Sequence, residues 1–341
     1  MERFKHYVGI DIGEANFTCT ILTRPDLPLI AREEFGNHTE GFAAFEQWLF
    51  KHGVDQAHAV LCMEATGVYG EALCYALTSK HFQLAVEPPL KVKRAFYPKG
   101  HKNDRVDSKQ IAEYAYRFQD QLYFWQPKAQ LVEQIATLLG TREQLVEQKT
   151  ASLNALTALK KKVVKNEVAQ KIYHETIETL ARHIEELEQE LAKLINQDQQ
   201  YRIGVTWLDT APGVGMLLAA NLLVITEGFT KHLEYERLAA MIGICPYQHQ
   251  SGSSVWKPDS SAGFGPPRLR KLLHLAARSV KTHNATFIKY YARKEAEGKP
   301  KKLILNNIAN KLLRIMCAML REQKPYIKNH VSVNPRLLKN A

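Results

Sequence analysis

The sequence predicts an α/β N-terminal domain, a long helical pair and a mainly α C-terminal domain. Up to about residue 120, short apolar runs alternate with helical patterns. Between about 128 and 198, Gly and Pro nearly vanish and apolar residues recur at the spacing of a coiled coil. From 201 onward, helical patterns surround a stretch rich in Ser, Gly and Pro. The predicted domains are therefore 1–125, 126–200 and 201–325, followed by a tail at 326–341.

Five runs in the first region have the length and composition of β-strands. The first three are joined by tight turns, and the last two are each followed by a helical pattern, which predicts a mixed sheet flanked by helices. The predicted strands are 6–13, 17–23, 29–35, 57–64 and 82–87. Pro88 and Pro89 end the last strand, since proline supplies no N–H to a sheet.

The second region carries an apolar stripe whose members alternate steps of three and four residues. These members are Ile177, Leu180, Ile184, Leu187, Leu191 and Leu194. The stripe predicts a coiled-coil helix against which a preceding helix packs antiparallel. Four lysines, at 160–162 and 165, would lie near the tip of this helical hairpin. They are either a solvated helix end or a contact for a nucleic-acid backbone.

The charge balance points to a polyanionic partner. The chain has 341 residues, a formal charge of +11 and a pI near 9.3, which favours DNA or RNA, although a basic enzyme of another kind stays open. Five dispersed cysteines form no Cys-x-x-Cys pair, so neither a zinc site nor a disulfide framework is expected. The start lacks a signal peptide, and the longest apolar run, 216–225, is too short to cross a bilayer. We expect a soluble cytoplasmic protein that does not associate with membranes.

Four carboxylates form the first candidate site. Asp11 falls near the end of the first predicted strand and Glu64 at the end of the fourth, so both can meet at one end of the sheet. Asp104 and Asp107 lie one turn apart at the start of a predicted helix. Carboxylates are preferred ligands of Mg²⁺, and a pair of such ions serves phosphodiester chemistry. Each acid alone is an ordinary turn or strand-end residue, but their combined placement favours a metal site.

Two cations accompany the second pair of acids, one before the pair and one between its members. Lys102 and Arg105 can hold a phosphate backbone while the acids hold the metal. The motif GIDIG at 9–13 also occurs at the start of sugar kinases and actin-like ATPases. Those proteins need a second Asp-x-Gly loop and a Gly-rich adenosine motif, and the sequence contains neither.

A serine-rich stretch forms the second candidate site. Ser251 precedes Gly252 on a predicted loop, where its hydroxyl would be accessible. Serine is a weak nucleophile and needs a base, such as His249, or a metal. No Gly-x-Ser-x-Gly elbow surrounds it, which argues against an acyl hydrolase. Spacing alone favours a loop-forming role over a nucleophilic one.

Taken together in order, six motifs resemble the insertion-sequence-110 family of DEDD transposases, which is related to the Piv and MooV DNA invertases. The motifs are GIDIG at 9–13, MEATGVY at 63–69, NDRVD at 103–107, PGVG at 212–215, IGICP at 242–246 and QSGSSV at 250–255. Each is short, but their ordered combination, from residue 7 to about 320, is specific.

The resemblance implies a RuvC-like, ribonuclease-H-fold N-terminal domain that holds Mg²⁺ through Asp11, Glu64, Asp104 and Asp107. It implies a helical C-terminal domain in which Ser251 attacks DNA and forms a phosphoserine link. It further implies a noncoding bridge RNA that pairs with donor and target DNA, which are cut, exchanged and rejoined. A homodimer or homotetramer, associated with the nucleoid of a bacterial or archaeal cell, fits this activity.

Further residues are candidates for nucleic-acid contact. Gly213 and Gly215 lie in a turn that resembles a helix–hairpin–helix, whose backbone N–H groups can hold a phosphate, but an ordinary tight turn explains the motif nearly as well. Trp256, Arg268, Arg270 and Lys271 are candidates for backbone or stacking contacts, although for each of them alone a solvated surface position is the more common explanation.

The sequence departs from the family pattern in two places. The basic turn expected after the serine is replaced by residues 255–267, and Glu87 stands at a strand end where Asn is expected. Ser253 and Ser254 are alternative nucleophiles. Two rival functions stay open: a RuvC-type hydrolytic nuclease or junction resolvase that leaves Ser251 idle, and an inactive relative that only binds nucleic acid.

Overall fold

A computed structural model describes residues 4–65, 67–96, 104–251, 255–261 and 265–328. For residues 104–106, 246–251 and 255–261 it describes the backbone only. The chain divides into two units, Met1–Pro127 and Lys128–Ala341.

The first unit is built on a five-stranded mixed sheet, as the sequence predicts. The strands are β1 (His6–Ile12), β2 (Asn16–Leu22), β3 (Ala31–Gly36), β4 (Ala59–Glu64) and β5 (Gln83–Glu87). Their order is β3-β2-β1-β4-β5. The first three strands pair antiparallel, whereas β4 is parallel to β1 and β5 is parallel to β4.

Helices cover both faces of this sheet. They are α1 (Thr39–Lys51), α2 (Glu71–Ser79), α3 (Pro89–Arg94) and α4 (Asp104–Arg117). On one face, Val8, Ile10 and Ile12 of β1 join a buried cluster with residues of α1 and α2. On the other face, Tyr7 joins a second cluster with residues of α4. Because successive strand residues point to opposite faces, each side chain of β1 belongs to one of these two layers.

The contact between β1 and α4 requires glycine at position 9. A Cβ on Gly9 would collide with the carbonyl oxygen of Ser108 and the backbone nitrogen of Ala112. At the other end of the helix, the Tyr7 hydroxyl donates a 2.9 Å hydrogen bond to Gln119. Helix α4 therefore runs opposite to β1, and its first turn lies at the carboxyl end of that strand.

Two long helices open the second unit. Helix α5 (Gln130–Lys161) and helix α6 (Glu167–Gln197) pack along each other, and Arg142 donates a 2.6 Å hydrogen bond from Nε to Glu188. The predicted lysine run falls where α5 ends. Burial decreases toward that tip: Leu191 is 1% exposed, whereas Val163 is 98% exposed.

The rest of the second unit is mainly helical, as predicted. Its helices are α7 (Gln199–Asp209), α8 (Met216–Ile225), α9 (Tyr235–Ile242), α10 (Pro267–His283), α11 (Ala285–Ala296) and α12 (Lys301–Glu322). Basic amphipathic patterns at about 268–282 and 302–320 predict helices close to α10 and α12, whereas α11 was not predicted. Helix α12 contributes nine buried residues to the core.

The serine-rich stretch differs from its prediction. It was expected to be a loop, but the structure pairs β6 (Pro246–Ser251) with β7 (Val255–Ser261) in an antiparallel hairpin. The Ser and Pro content hid these strands, because both residue types are poor strand formers and the hairpin contains Pro258. We call this element the serine hairpin.

One helix in the described part of the chain, α12, is long and apolar enough to cross a membrane by length and composition alone. Half of its apolar window is buried inside the protein, as expected of a core helix.

Candidate active site

Asp11 and Glu64 stand at the same level of two neighbouring parallel strands. Ile10 pairs in register with Met63, and each acid is the next residue along its strand. Ile10 and Met63 are buried in the layer with α1 and α2, so alternation places both acids on the face that α4 covers. Both acids are partly exposed. The structure therefore brings these two predicted site residues together.

The second pair of acids lies on the first turn of α4. Asp107 is partly exposed and directly precedes Ser108, whose carbonyl oxygen approaches Gly9. The Ser108 hydroxyl is 2.9 Å from that of Thr20, which fixes this turn against β2. Asp104 begins the helix, but its side chain is outside the described part of the structure, as is that of Arg105. Lys102 is outside it altogether.

The sheet end carries a concentrated negative charge. Burial raises the pKa of the Cys19 thiol, and the nearby carboxylate of Asp11 raises it further. Burial likewise raises the pKa of Cys62, the carboxylates of Glu87 and then Glu64 raise it further, and the Lys91 ammonium opposes them. A divalent cation would neutralise such a field, so the donor set suits a hard metal ion. Within the residues whose side chains are described, no three His, Cys, Asp or Glu form a ready metal cluster.

A third strand, β5, ends in an acid that is not among the predicted metal ligands. Glu87 pairs directly in register with Glu64 and is only 4% exposed. Its carboxylate accepts hydrogen bonds of 2.9 and 3.1 Å from Lys91. Burial opposes the charge on Lys91, but the bonds to Glu87 and Tyr114 raise its pKa overall. The missed signal was a strand-end acid with a lysine four residues later. We call the ends of β1, β4 and β5 the acidic end of the sheet.

Two contacts hold the turn after β4 over this acidic end. Asn37 Nδ2 donates to the carbonyl oxygens of Gly13, at 3.0 Å, and Tyr69, at 2.9 Å. A Cβ on Gly70 would collide with Cε of Met63. The turns that follow β1 and β4 are therefore tied to each other and to the core.

Ser251 is the last residue of β6 and pairs in register with Val255. Its side chain is outside the described part of the structure, and Ser253 and Ser254 lie outside it entirely. Arg270 supports the chain on either side of the hairpin: its Nη1 donates to Ile242, at 3.0 Å, and to Gly265, at 2.9 Å. The serine and the carboxylates belong to different units.

Comparison with known proteins decides the family. One transposase profile, DEDD IS110, matches residues 8–164, and a second, of the IS116/IS110/IS902 transposase family, matches residues 205–292. The pilin gene-inverting protein of Moraxella lacunata is 30% identical over 331 residues, covering 95% of this chain and 98% of the relative. The chain belongs to the IS110 family of transposases. The match confirms the family resemblance read from the six motifs.

Two further relatives have related names. The pilin gene-inverting protein of Moraxella bovis is 29% identical over 331 residues, covering 95% of this chain and 98% of the relative. The transposase for insertion sequence element IS1111A of Coxiella burnetii is 28% identical over 258 residues, covering 67% of this chain and 70% of the relative. The chain is therefore an enzyme of DNA recombination, a transposase.

Among the nucleic-acid contacts predicted for this transposase, three cations of α10 have different surroundings. Arg270 is held by backbone carbonyls, and Lys271 lies 2.7 Å from Glu143. Arg268 lines a cavity of about 910 Å³ between α5, α8 and the start of α10, and its Nε is buried with no hydrogen-bond partner among the described residues. Of the three, Arg268 has the most unused capacity to bind an acceptor.

The two candidate glycines also differ. Gly213 has φ +74°, and a Cβ there would lie 2.7 Å from the Val280 side chain. Gly215 precedes α8, with open space around it. The Trp256 side chain is outside the described part of the structure. The contact roles of all these residues stay predictions.

Proposed function

We propose that this transposase cuts, exchanges and rejoins DNA through a phosphoserine intermediate on Ser251. Mg²⁺ would be held by Asp11, Glu64, Asp104 and Asp107. The observation that carries the proposal is the placement of Asp11 and Glu64 at one level of adjacent strands, on the face covered by the helix that begins with the other two acids. Rigid strand ends suit a site that must hold hard ions in fixed geometry.

The strand order supports a RuvC-like, ribonuclease-H-like assignment for the sheet. Three antiparallel strands are followed by two that run parallel to the first, with α4 packed across the central strands. The acids occupy carboxyl ends of strands, where open α/β sheets place their ligands. Divalent ions bound there would make an oxygen nucleophile more acidic and stabilise a leaving oxygen.

The chemistry proposed for Ser251 is a transesterification. Its Oγ attacks a DNA phosphorus, an Oγ–P bond forms, the bond to a deoxyribose oxygen breaks, and that oxygen takes a proton as the hydroxyl proton is lost. The new phosphodiester keeps the bond energy, so a deoxyribose hydroxyl of another strand can reverse the step and rejoin DNA. A position at the end of a strand, as Ser251 has in β6, suits an accessible nucleophile.

We further propose that a bridge RNA guides the choice of donor and target. Base pairing would then read the sequence, and protein cations would hold backbones. The formal charge of +11 supports binding of such polyanions. The proposed location is the cytoplasm of a bacterial or archaeal cell, at the nucleoid.

The long helical hairpin supports the proposal of a coiled-coil dimer or tetramer. Stripe residues Ile177, Leu180 and Ile184 stay only half-buried within one chain, so a second copy can cover them. Leu180→Glu should shift the assembly toward monomer in light scattering, and Thr179→Glu, on the exposed side, should not. An unchanged mass for both variants contradicts this interface.

One experiment tests the central proposal. Protein, RNA transcribed from the element's flanks and target DNA are incubated with Mg²⁺ and analysed on denaturing gels for a covalent adduct. We expect an adduct whose peptide maps to Ser251 and which Ser251→Ala abolishes. Ser253→Ala and Ser254→Ala are matched controls and should keep it.

Other outcomes support the rival functions. Cleavage that survives Ser251→Ala but disappears in Asp107→Ala indicates a hydrolytic nuclease. Binding without cleavage indicates a relative that only binds nucleic acid. Loss of the adduct in Ser253→Ala alone would show that Ser253, and not Ser251, is the nucleophile.

A further inference from the structure

Two adjacent apolar side chains are exposed at the acidic end of the sheet. Val68 is 75% exposed and Tyr69 is 45% exposed, both on the turn that links β4 to α2. Single exposed apolar residues are common on protein surfaces. Here two stand together, a few residues after Glu64.

The backbone beneath them is held in place. The carbonyl oxygen of Tyr69 accepts the hydrogen bond from Asn37, and that of Val68 accepts a 3.2 Å hydrogen bond from the Glu71 backbone nitrogen. Gly70 packs on Met63, and a Cβ there would also lie 3.8 Å from Ile12. Ile12 and Met63 are the chain neighbours of Asp11 and Glu64, and their side chains point to the opposite face of the sheet. The turn therefore packs on the two strand ends that carry these acids, from the side of α1 and α2.

A fixed backbone lowers the entropy lost when a ligand binds the exposed side chains. The contacts of the turn with the core already order its backbone, so most of the entropy loss has occurred before a ligand binds. The Tyr69 ring can therefore offer a preformed flat surface. Such a surface suits an unpaired nucleobase, because every base has a π-face and stacks without regard to sequence.

The charges around the turn favour a base over a phosphate. Glu14, whose carbonyl oxygen also accepts a hydrogen bond from Asn37, has an exposed side chain, as does Glu71. These carboxylates repel a phosphate but leave an uncharged base free to stack. A branched apolar residue beside an aromatic one is also the kind of surface that separates stacked bases.

We propose that Tyr69, with Val68 beside it, is a stacking site for an unpaired nucleobase of the substrate strand at the acidic end of the sheet. The inference rests on the proposed function only in taking that end to be where DNA is cut. Its role is binding and positioning of the strand, distinct from holding the metal.

The probe is a single-stranded DNA oligonucleotide that carries 5-iodouracil at its thymine positions, mixed with full-length protein in Ca²⁺. Illumination joins 5-iodouracil to an aromatic ring that stacks on it, and mass spectrometry finds the joined peptide. We expect a cross-link at Tyr69 in the wild-type protein. Fluorescence anisotropy should show Tyr69→Ala binding the oligonucleotide at least about fivefold more weakly, and Tyr69→Phe binding it normally.

Tyr123→Ala is the matched control, because Tyr123 is 78% exposed in the same unit, next to the residue that pairs with β5. It should change neither affinity nor cross-linking. Absence of a Tyr69 cross-link in wild-type protein, whether or not the oligonucleotide binds, overturns the proposal, as does wild-type affinity in Tyr69→Ala. The wild-type cross-link needs no variant and is independent of any folding defect.

The serine-adduct assay separates this inference from the proposed function. A Tyr69 cross-link in a protein that forms no adduct leaves the stacking site standing and contradicts the phosphoserine mechanism. An adduct on Ser251 without a Tyr69 cross-link supports the phosphoserine mechanism and contradicts the stacking site.

Discussion

The acidic end of the sheet and the serine hairpin carry the two halves of the proposed chemistry on different kinds of structure. Asp11 and Glu64 follow fully buried residues of central strands and face a helix packed so closely that Gly9 cannot carry a Cβ. Ser251 ends an isolated two-stranded hairpin joined to a helical core. A two-stranded hairpin has little stability of its own in water.

This difference indicates a division of roles. Metal coordination requires donors held within a fraction of an ångström, and core strands supply that rigidity. A nucleophile that approaches a phosphodiester, forms a covalent bond to it and later releases it needs a backbone that is less rigid than a core strand. We therefore expect substitution of the carboxylates Asp11 and Glu64 to lower activity without lowering stability. Substitutions beneath the hairpin should act through its local order.

The largest expected effect is from Asp11→Asn. Loss of one metal-binding carboxylate should lower adduct formation at least about a hundredfold. Thermal stability should stay the same or rise slightly, since a negative charge beside Glu64 is removed. Asp120→Asn, at an exposed position beyond the far end of α4, is the control and should be fully active. Near-normal activity in Asp11→Asn would show that Asp11 is not a metal ligand of the active site.

The next effect tests the close contact beneath the acids. Gly9→Ala should cost about 3 kcal/mol, because its methyl group must push α4 away from β1. It should also lower activity by displacing Asp107. Gly215→Ala, where the added methyl group enters open space, should change the free energy of unfolding by less than about 0.5 kcal/mol. If urea unfolding gave the same loss of unfolding free energy for Gly9→Ala and Gly215→Ala, α4 would be able to move away from β1 without a loss of stability.

Much of the acidic end could be predicted from the sequence, because the signals are local. Apolar strand runs, each ending in an acid, give both the strand and the position of Asp11 or Glu64. The topology then brings neighbouring strand ends together. The family match extends this to nearly the whole chain.

Other features depend on contacts that the sequence does not display. Strands β6 and β7 pair through their backbones, so their side-chain pattern gave little indication of a hairpin. Glu87 was not among the predicted ligands, and its lysine partner and its register with Glu64 become visible only when β5 is placed. The commitment of Arg270 to two backbone carbonyls depends likewise on how the segments before α10 fold back.

A smaller effect is expected from Lys91→Met. The substitution leaves the buried Glu87 carboxylate without its ammonium partner beside Glu64. Breaking a fully buried pair costs more, but Lys91 is 42% exposed, so we expect a loss of about 2 kcal/mol in urea unfolding. Adding Glu87→Gln to Lys91→Met should recover much of this loss. Failure of the double variant to recover it would show that Lys91 acts through packing.

The smallest effect on global stability concerns the support of the serine hairpin. Arg270→Met removes two hydrogen bonds to backbone carbonyls at a partly exposed site, which should cost about 1 kcal/mol. If the hairpin depends on this support, amide hydrogen exchange in β6 and β7 should speed up and adduct yield should fall, with exchange in the sheet of the first unit unchanged. Lys271→Met removes a partly exposed ion pair to Glu143 and is the control for hydrogen exchange in β6 and β7, which it should leave unchanged. Unchanged exchange in β6 and β7 would mean that the hairpin is held by other contacts, and the contrast between a rigid acidic end and a locally supported nucleophile would then be wrong.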